Sequence, residues 1–304
     1  MPMTRREALR GLMMVPLTGH GGVTRQTARE SELIVCGWDE VFILALGEGP
    51  APTHRKVWSW RAADSPEIAA DMRPLFRTTD DCKPVDGGRR ILISSSAGAV
   101  ALIDRQTRRA SFVARVTNAH SIEMLPGERI AAAASVSTAG PGNRIVVFDA
   151  AAKELASDEL RSAHGVVWDE SRGVLWALGG DVLRAYGVGA AVGSVGSMSL
   201  DRRFEIALPD RGGHDLVPLP GSSRLFLSTE RRCFYFDRDR RELSPHDTLG
   251  DRAGIKCYNV HRSTGRVVYI EAEGKDWWAE HLHFAQPEGT LRLPGEHLYK
   301  ARWV

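Results

Sequence analysis

The chain has little cysteine, no long apolar run and almost no net charge, and each lack excludes a class of protein. Four cysteines in 304 residues exclude a disulfide-dense scaffold. The absence of Cys-x-x-Cys spacing excludes zinc fingers and dithiol redox motifs, and predicts buried free thiols. Because no run of about 18 apolar residues occurs, no transmembrane segment is expected. With 40 Lys and Arg against 38 Asp and Glu, no broad basic face for nucleic acid is expected.

Residues 1–30 are interpreted as a targeting signal or a disordered N-terminus, and residues 31–304 as one domain. Arg5 and Arg6 form a twin-arginine pair ahead of a short apolar stretch. This arrangement resembles the signal of the twin-arginine export route and implies a periplasmic or extracellular protein. The alternative is a basic, disordered N-terminus on a cytoplasmic protein.

From residue 31 onward, short apolar runs alternate with turns rich in Gly, Asp and Ser. Hairpin signals of this kind stand at residues 91–104, 174–186 and 224–237. Such runs predict strands joined by tight turns. The domain is therefore predicted to be all-β.

The strand pattern repeats at intervals of about 40–50 residues, which is typical of propeller blades. Similar segments begin near residues 119, 163, 213 and 255. Aligning them places one polar residue in each unit: Asp81 or Lys83, His120, His164, His214, Lys256 and His297. Six blades are predicted, with seven blades as the alternative and a pair of β-sandwiches as the runner-up fold.

The two ends of the repeat complement each other. Residues 296–303 begin a unit whose remainder is missing, and residues 32–37 look like a second strand without a first. We therefore predict that the C-terminal strand completes the N-terminal blade, which closes the ring and protects two strand edges.

Strand endings such as Val-Val-Phe-Asp at residues 146–149 and Phe-Tyr-Phe-Asp at 234–237 resemble NHL-type and YVTN-type propeller repeats. They also resemble the six-bladed group of gluconolactonase and regucalcin-like enzymes. Segments 35–39, 80–85, 118–123 and 164–169 look like an uncharacterised family of exported bacterial propellers. The resemblance covers residues 31–304 and implies the fold without an activity. Gluconolactonase-like metal sites use Glu, Asn and Asp, whereas this chain has mostly His at the corresponding positions.

The repeated histidines predict a site in the central channel, because first strands of propeller blades line it. His120, His164 and His214 are candidate ligands for a divalent metal ion such as Zn, Mn, Ni or Fe. Three histidines with an open position form a ligand set typical of catalytic zinc. The alternative is a structural role, in which each histidine bonds the neighbouring blade. Isolated His20, His54 and His246 are expected at the surface.

Further polar residues are placed around this ring. Lys256, Tyr258 and Lys83 are candidate catalytic groups, as base, acid or anion clamp. Tyr258 is included because strand alternation would put it on the face of Lys256. Candidate substrate contacts are Asp81, Asp215 and His297.

These residues lead to two functional hypotheses. The first is an exported enzyme, expected to be monomeric, that acts on a carbohydrate, small carboxylate or lactone. Lyase chemistry is preferred to hydrolysis because a base beside a bound carboxylate can abstract its α proton. Oligogalacturonate lyases, which are similar in architecture, hold manganese with clustered histidines. The second is a non-catalytic propeller that binds a small anionic sugar or docks a protein at the cell envelope. Trp277 and Trp278 would stack on a sugar or pack between blades.

Overall fold

A computed structural model describes residues 31–49, 52–190 and 198–304. The predicted signal or disordered segment, residues 1–30, lies outside the described residues. Over the described ranges the chain forms six four-stranded antiparallel sheets. Two short 3-10 helices, Ala62–Asp64 and Arg73–Phe76, lie between the first and second sheets, and a third, Asp86–Gly88, lies within the second sheet's first hairpin. The prediction of a six-bladed propeller is confirmed, and the seven-bladed and sandwich alternatives are wrong.

Each sheet is one blade, and its strands follow one another from the channel outward. Blade 1 contains β24 (Lys300–Trp303), β1 (Ser31–Gly37), β2 (Glu40–Leu46) and β3 (His54–Trp60). Blade 2 contains β4 (Thr79–Val85), β5 (Arg90–Ser95), β6 (Ala99–Asp104) and β7 (Ala110–Arg115). Blade 3 contains β8 (Ala119–Leu125), β9 (Arg129–Ala134), β10 (Arg144–Phe148) and β11 (Glu154–Glu159).

The second half of the ring has the same plan. Blade 4 contains β12 (Gly165–Asp169), β13 (Val174–Leu178), β14 (Val182–Ala190) and β15 (Met198–Ala207). Blade 5 contains β16 (Leu216–Pro218), β17 (Arg224–Ser228), β18 (Cys233–Asp237) and β19 (Glu242–Pro245). Blade 6 contains β20 (Ile255–Val260), β21 (Val267–Glu271), β22 (His281–Ala285) and β23 (Gly289–Arg292).

The ring is closed by the last strand. β24 pairs antiparallel with β1, with Leu33 opposite Trp303 and Cys36 opposite Lys300. The first blade therefore takes its inner strand from the C-terminal end of the chain, as predicted. This pairing covers the inner edge of β1 with backbone hydrogen bonds.

The apolar core is divided among the spaces between neighbouring blades. Among the described residues, six buried clusters occur, one for each pair of adjacent blades, including the pair formed by blades 6 and 1. Each middle strand packs against a neighbour on both faces, which explains continuous apolar runs such as Val174–Leu178. The four cysteines lie in these clusters or beside them as buried free thiols, as predicted.

Within the described ranges, no helix is long and apolar enough to cross a bilayer.

Candidate functional site

The inner strands begin with an irregularity that sets the geometry of the site. β4, β8 and β20 each contain a bulge at their start, at Asp80, His120 and Lys256. A bulge places two residues opposite one partner residue and interrupts the alternation of side chains between faces. The same position is held in blades 4 and 5 by His164, which immediately precedes β12, and by His214, two residues before β16. Their backbone N–H groups donate to the carbonyl oxygens of Leu178 and Ser228 on the next strands.

Each blade therefore contributes one residue to this end of the channel, and we call these six residues the mouth ring. Tyr299, whose backbone N–H bonds to Cys36, completes the set in blade 1. The mouth ring consists of Asp80, His120, His164, His214, Lys256 and Tyr299.

The three predicted histidines do come together in the mouth ring. The rings of His120 and His164 stack with centroids 4.1 Å apart and planes 18° apart. His214 meets His164 edge-on at 5.5 Å. Burial lowers the pKa values of His164 and His214 well below the ordinary value, and the neighbouring charged groups add to the effect. These two imidazoles are therefore neutral at physiological pH.

The imidazoles have different polar partners. His120 Nδ1 lies 3.1 Å from Asp80 Oδ1, outside hydrogen-bond geometry. His164 Nδ1 lies 3.0 Å from the carbonyl oxygen of Ser162, to which it donates. Since a neutral imidazole carries one proton, the Nε2 atom of His164 is left as an acceptor.

Lys256 is the cation of the mouth ring. Its Nζ atom lies 2.9 Å from Nε2 of His214. Burial lowers the pKa of Lys256 to about 8, although Glu230 acts in the opposite direction. When the ammonium donates to Nε2, the proton of His214 lies on Nδ1, which is buried and has no partner among the described residues.

The histidines are not arranged as metal ligands. Among the described residues, no three His, Cys, Asp or Glu side chains are placed to hold a metal ion. The stacked rings of His120 and His164 hold their Nε2 lone pairs in nearly parallel planes, whereas the lone pairs of ligands to one ion converge on one point. The Nε2 atom of His214 is already engaged with Lys256. The predicted divalent ion would need these rings to rotate.

Directly below the mouth ring lies a buried ion network. Two of the three predicted substrate contacts, Asp81 and Asp215, belong to blades 2 and 5 on opposite sides of the channel. Arg302 donates to both carboxylates, at 3.2 Å to Asp81 Oδ1 and 2.6 Å to Asp215 Oδ1. Lys300 lies 3.3 Å from Asp215 and donates to the carbonyl oxygens of His120 and His214.

All four charged groups are almost completely buried. Burial alone would raise the pKa values of Asp81 and Asp215, but Arg302 and Lys300 hold both below the ordinary value. Both carboxylates are therefore ionised and paired inside the protein. Their geometry favours a role in anchoring the closing strand. The predicted contact of Asp81 and Asp215 with a substrate stays an untested prediction.

Lys83 lies deeper in the channel than the mouth ring. Its ammonium donates to Glu123 Oε2 at 3.0 Å and to the carbonyl oxygen of Val166. Lys83 and Glu123 line a cavity of about 200 Å³, whose wall also includes Asn259 and Arg302. Lys83 and Lys256 thus belong to different levels of the channel.

The expectation that Tyr258 shares the channel face with Lys256 is wrong. The bulge between Ile255 and Cys257 shifts the alternation of β20 by one residue. Tyr258 instead packs between blades 5 and 6, where it stacks on Phe226 with centroids 4.2 Å apart.

His297 also lies outside the mouth ring, and Tyr299 occupies its predicted position. The His297 ring packs 4.7 Å from Trp38 and 4.0 Å from Trp278. Trp38 in turn lies 5.0 Å from Trp277, and Trp277 lies 5.4 Å from Tyr299.

These rings form a continuous surface beside the mouth ring, which we call the aromatic wall: Trp38, Trp277, Trp278, His297 and Tyr299. Its link to the histidines is Tyr299, whose ring lies 6.3 Å from His120. Trp38 and Trp277 are more than one-third exposed, unlike most tryptophans in folded proteins. Trp38 also has a left-handed backbone, with φ of 50°, which is costly for a bulky residue.

Three residues of this region were missed by sequence reasoning. Asp80 stands one position before Asp81, the first of the two residues that the repeat alignment offered in blade 2. Tyr299 stands two positions after His297, the residue that the alignment gave for the closing strand. The sequence did contain a signal for Asp80 and Tyr299, because each follows an apolar or small residue. The mouth-ring residues of β8 and β20 also follow such a residue. Trp38 carried no signal, because it reaches the mouth only through closure of the ring.

The fold and the mouth ring define a six-bladed propeller with a polar site at one end of its channel. The chain belongs to DUF6528, a family of unknown function whose model matches residues 44–304. This agrees with the expected likeness to an uncharacterised propeller family.

The chain is also similar to a solved structure, that of a protein of unknown function from Bacteroides caccae. The TM-score is 0.60 and the identity 10%, over 90% of this chain and 99% of that one. This likeness shows the fold alone. A search of curated proteins finds no match to the chain. The resemblances to NHL-type, YVTN-type and gluconolactonase-like propellers stay predictions.

Proposed function

We propose that the mouth ring is the active site of an enzyme that acts on a small acidic carbohydrate, with Lys256 as the base. The observation that carries the proposal is the contact between Lys256 Nζ and His214 Nε2, 2.9 Å, at the end of the channel. A lysine whose pKa is lowered to about 8 supplies a neutral amine near physiological pH, which an ordinary lysine does not.

The reaction class we favour is β-elimination. The neutral amine of Lys256 takes the proton from the carbon next to the substrate carboxylate. The electron pair of that C–H bond forms a carbon–carbon double bond, and the bond to the β oxygen breaks. The ammonium of Lys256 then returns the proton to the departing oxygen, so no oxidant or reductant is needed.

The aromatic wall supports a carbohydrate as the substrate. Exposed tryptophan faces such as those of Trp38 and Trp277 offer a flat apolar surface on which the C–H face of a sugar ring can lie. In the mouth ring, the Nε2 atom of His164 is an acceptor, which suits a sugar hydroxyl group.

The test is a screen of uronate oligomers for a new double bond conjugated with a carboxylate, followed by ultraviolet absorbance. Wild type is expected to be active, and Lys256→Met to lose about 10²-fold or more in turnover. Lys153→Met, in an exposed turn, is the matched control and should keep full activity. Equal turnover by Lys256→Met and wild type would overturn the assignment of the base.

The aromatic wall also favours a second candidate, a propeller that binds sugars without transforming them. In that case no substrate is turned over, and calorimetry shows binding that is lost in Trp277→Ala and kept in Lys256→Met. Lyase turnover by the wild type would exclude this candidate.

The proposed divalent ion on His120, His164 and His214 is tested separately. Elemental analysis of protein purified without a histidine tag would compare wild type with the double variant His120→Ala, His164→Ala. Stoichiometric metal in the wild type alone would support a rearranged metal site. Export by the twin-arginine route is likewise a proposal that rests on Arg5 and Arg6, and fractionation of a producing cell tests it.

A further inference from the structure

The cavity beside Lys83 lies on the channel axis, because the inner strands of all six blades contribute to its wall. Its volume of about 200 Å³ gives room for roughly seven water molecules, which is less than drug-sized ligands need. We call it the lower chamber. In blade order, its wall includes Trp303, Lys83, Glu123, Val167, Leu216 and Asn259.

The buried ion network separates the lower chamber from the mouth ring. On one side of the network, Lys300 donates to the backbone carbonyl oxygens of His120 and His214 in the mouth ring. On the other side, Arg302 lines the lower chamber. Both cations are almost completely buried. The lower chamber is therefore a compartment of its own.

Two charged side chains of the lower chamber keep unused hydrogen-bonding capacity. The Lys83 ammonium has three N–H donors and uses two of them, on Glu123 and on the carbonyl oxygen of Val166. Glu123 accepts from Lys83 and from the backbone N–H of Met124, which leaves free lone pairs on its carboxylate. The two side chains are 11% and 17% exposed, so a ligand in the chamber can reach them.

Asn259 adds an uncharged donor to the same wall. Its Oδ1 atom accepts the backbone N–H of Trp303 at 2.9 Å. Its Nδ2 atom has no partner among the described residues, and the residue is only half-buried. The amide therefore has N–H groups to offer to an acceptor in the chamber.

His246 shows the opposite situation. It was expected at the surface, but only 6% of the residue is exposed, and its ring packs beside Tyr235 and Tyr258. Its Nε2 atom has no partner among the described residues, but this atom also has almost no accessible surface. A ligand beside it would not reach it, in contrast to the polar groups of the lower chamber.

The charges around the lower chamber balance. Lys83 and Glu123 form a pair at 3.0 Å, and the two cations of the ion network above them face two carboxylates. A ligand with a net charge would add an uncompensated charge to a largely buried site, which is unfavourable. A zwitterion adds none, and it can place each of its charges against the opposite one. Such charge-assisted hydrogen bonds are about twice as strong as neutral ones.

The rest of the wall is mainly apolar, with Val167 and Leu216 among its residues. We propose that the lower chamber binds a small α-amino acid with an aliphatic side chain. Its ammonium group would donate to Glu123, and its carboxylate would accept from Lys83 and Asn259. This site is independent of the mouth ring and of the function proposed for it.

The experiment titrates the whole chain with valine and with two probes that each lack one of its charges. 3-Methylbutanoate lacks the ammonium group, and 2-methylpropylamine lacks the carboxylate. Ligand-detected NMR is expected to show valine binding about tenfold more tightly than either probe, because each missing group removes a charge-assisted hydrogen bond. Absence of valine binding, or equal binding of all three compounds, would overturn the proposal.

Two substitutions of nearly unchanged shape should reverse the preference among the compounds. Asn259→Asp keeps the acceptor for Trp303 and adds a negative charge, so 2-methylpropylamine should become the tightest ligand. Glu123→Gln removes a negative charge, so 3-methylbutanoate should become the tightest. A substitution that only disturbs the fold would weaken all three compounds alike, and either variant suffices if the other does not fold. A folded variant that still prefers valine would contradict the assigned contacts.

Lys256→Met distinguishes the two ends of the channel. Because Lys256 belongs to the mouth ring, valine binding should be unchanged in this variant. Loss of valine binding in Lys256→Met, with unchanged binding in Asn259→Asp, would place the ligand in the mouth ring and overturn the proposal.

Discussion

At the scale of single residues, the mouth ring contains a lysine in an environment that disfavours its charge. The folded pKa of Lys256, about 8, lies below the value of 10.5 for an ordinary lysine. Between these two values the unfolded chain binds more protons than the folded protein, so folding stability rises with pH.

This shift predicts a pH-dependent difference between wild type and Lys256→Met. From pH 8 to pH 10, the wild type should gain stability relative to the variant, by about 3 kcal/mol at most. Urea denaturation at several pH values measures the difference, in which the other titrating groups cancel. A difference that stays constant with pH would show that the lysine is not perturbed.

The buried ion network gives a second prediction at this scale. Asp215→Asn removes one of two carboxylates that face Lys300 and Arg302, leaving excess positive charge in a buried site. A loss of about 3–5 kcal/mol is expected, because breaking a buried pair leaves an uncompensated charge. Asp71→Asn breaks an exposed pair with Arg115 and should cost less than about 1 kcal/mol. Chemical denaturation compares the two, and equal losses would contradict the assigned role of the network.

At the scale of elements, the bulge at the start of the inner strands decides which side chains reach the channel. It aims consecutive residues, such as Asp80 and Asp81, toward the axis and turns Tyr258 away from it. A repeat alignment finds strands and turns, because apolar runs and glycines mark them. It does not find a bulge, which adds one residue without changing the apolar pattern. For this reason the alignment placed His120, His164 and His214 correctly in the ring, but in blade 2 it selected Asp81 or Lys83 instead of Asp80.

The first hairpin supports the aromatic wall and yields a prediction at this scale. Gly37 ends β1, just before Trp38, and a Cβ atom there would overlap the carbonyl oxygen of His297. Gly37→Ala should therefore cost about 3 kcal/mol and disturb the wall. Gly189→Ala, within β14, is the matched control, since nothing lies within 4 Å of its Cβ position. Thermal unfolding and tryptophan fluorescence report both effects, and a stable Gly37→Ala variant with unchanged fluorescence would refute the close contact.

At the scale of the whole molecule, the ring has a core in every space between blades, including the space where the two ends of the chain meet. Repeats of about 45 residues predict such a ring because one blade alone cannot cover its two apolar faces. The aromatic wall was beyond prediction, since Trp38, Trp277 and Tyr299 become neighbours only after closure.

Removal of the closing strand tests this closure. A chain that lacks residues 300–304 loses the inner strand of blade 1 together with Lys300 and Arg302. We expect it to lose cooperative unfolding, as followed by circular dichroism in urea. Removal of Val304 alone, which is 37% exposed, should leave a cooperative transition. Cooperative unfolding of the longer truncation near the wild-type midpoint would contradict an essential role of β24.

The position of Arg302 and Lys300 has a consequence for the order of events during synthesis. Asp81 and Asp215 leave the ribosome well before the two cations that neutralise them, because Lys300 and Arg302 follow both carboxylates by more than 80 residues in the sequence. A nascent propeller that still lacks β24 has two like charges facing one another in the future channel, and an uncovered edge on β1. The finished channel therefore forms only after translation has passed residue 302.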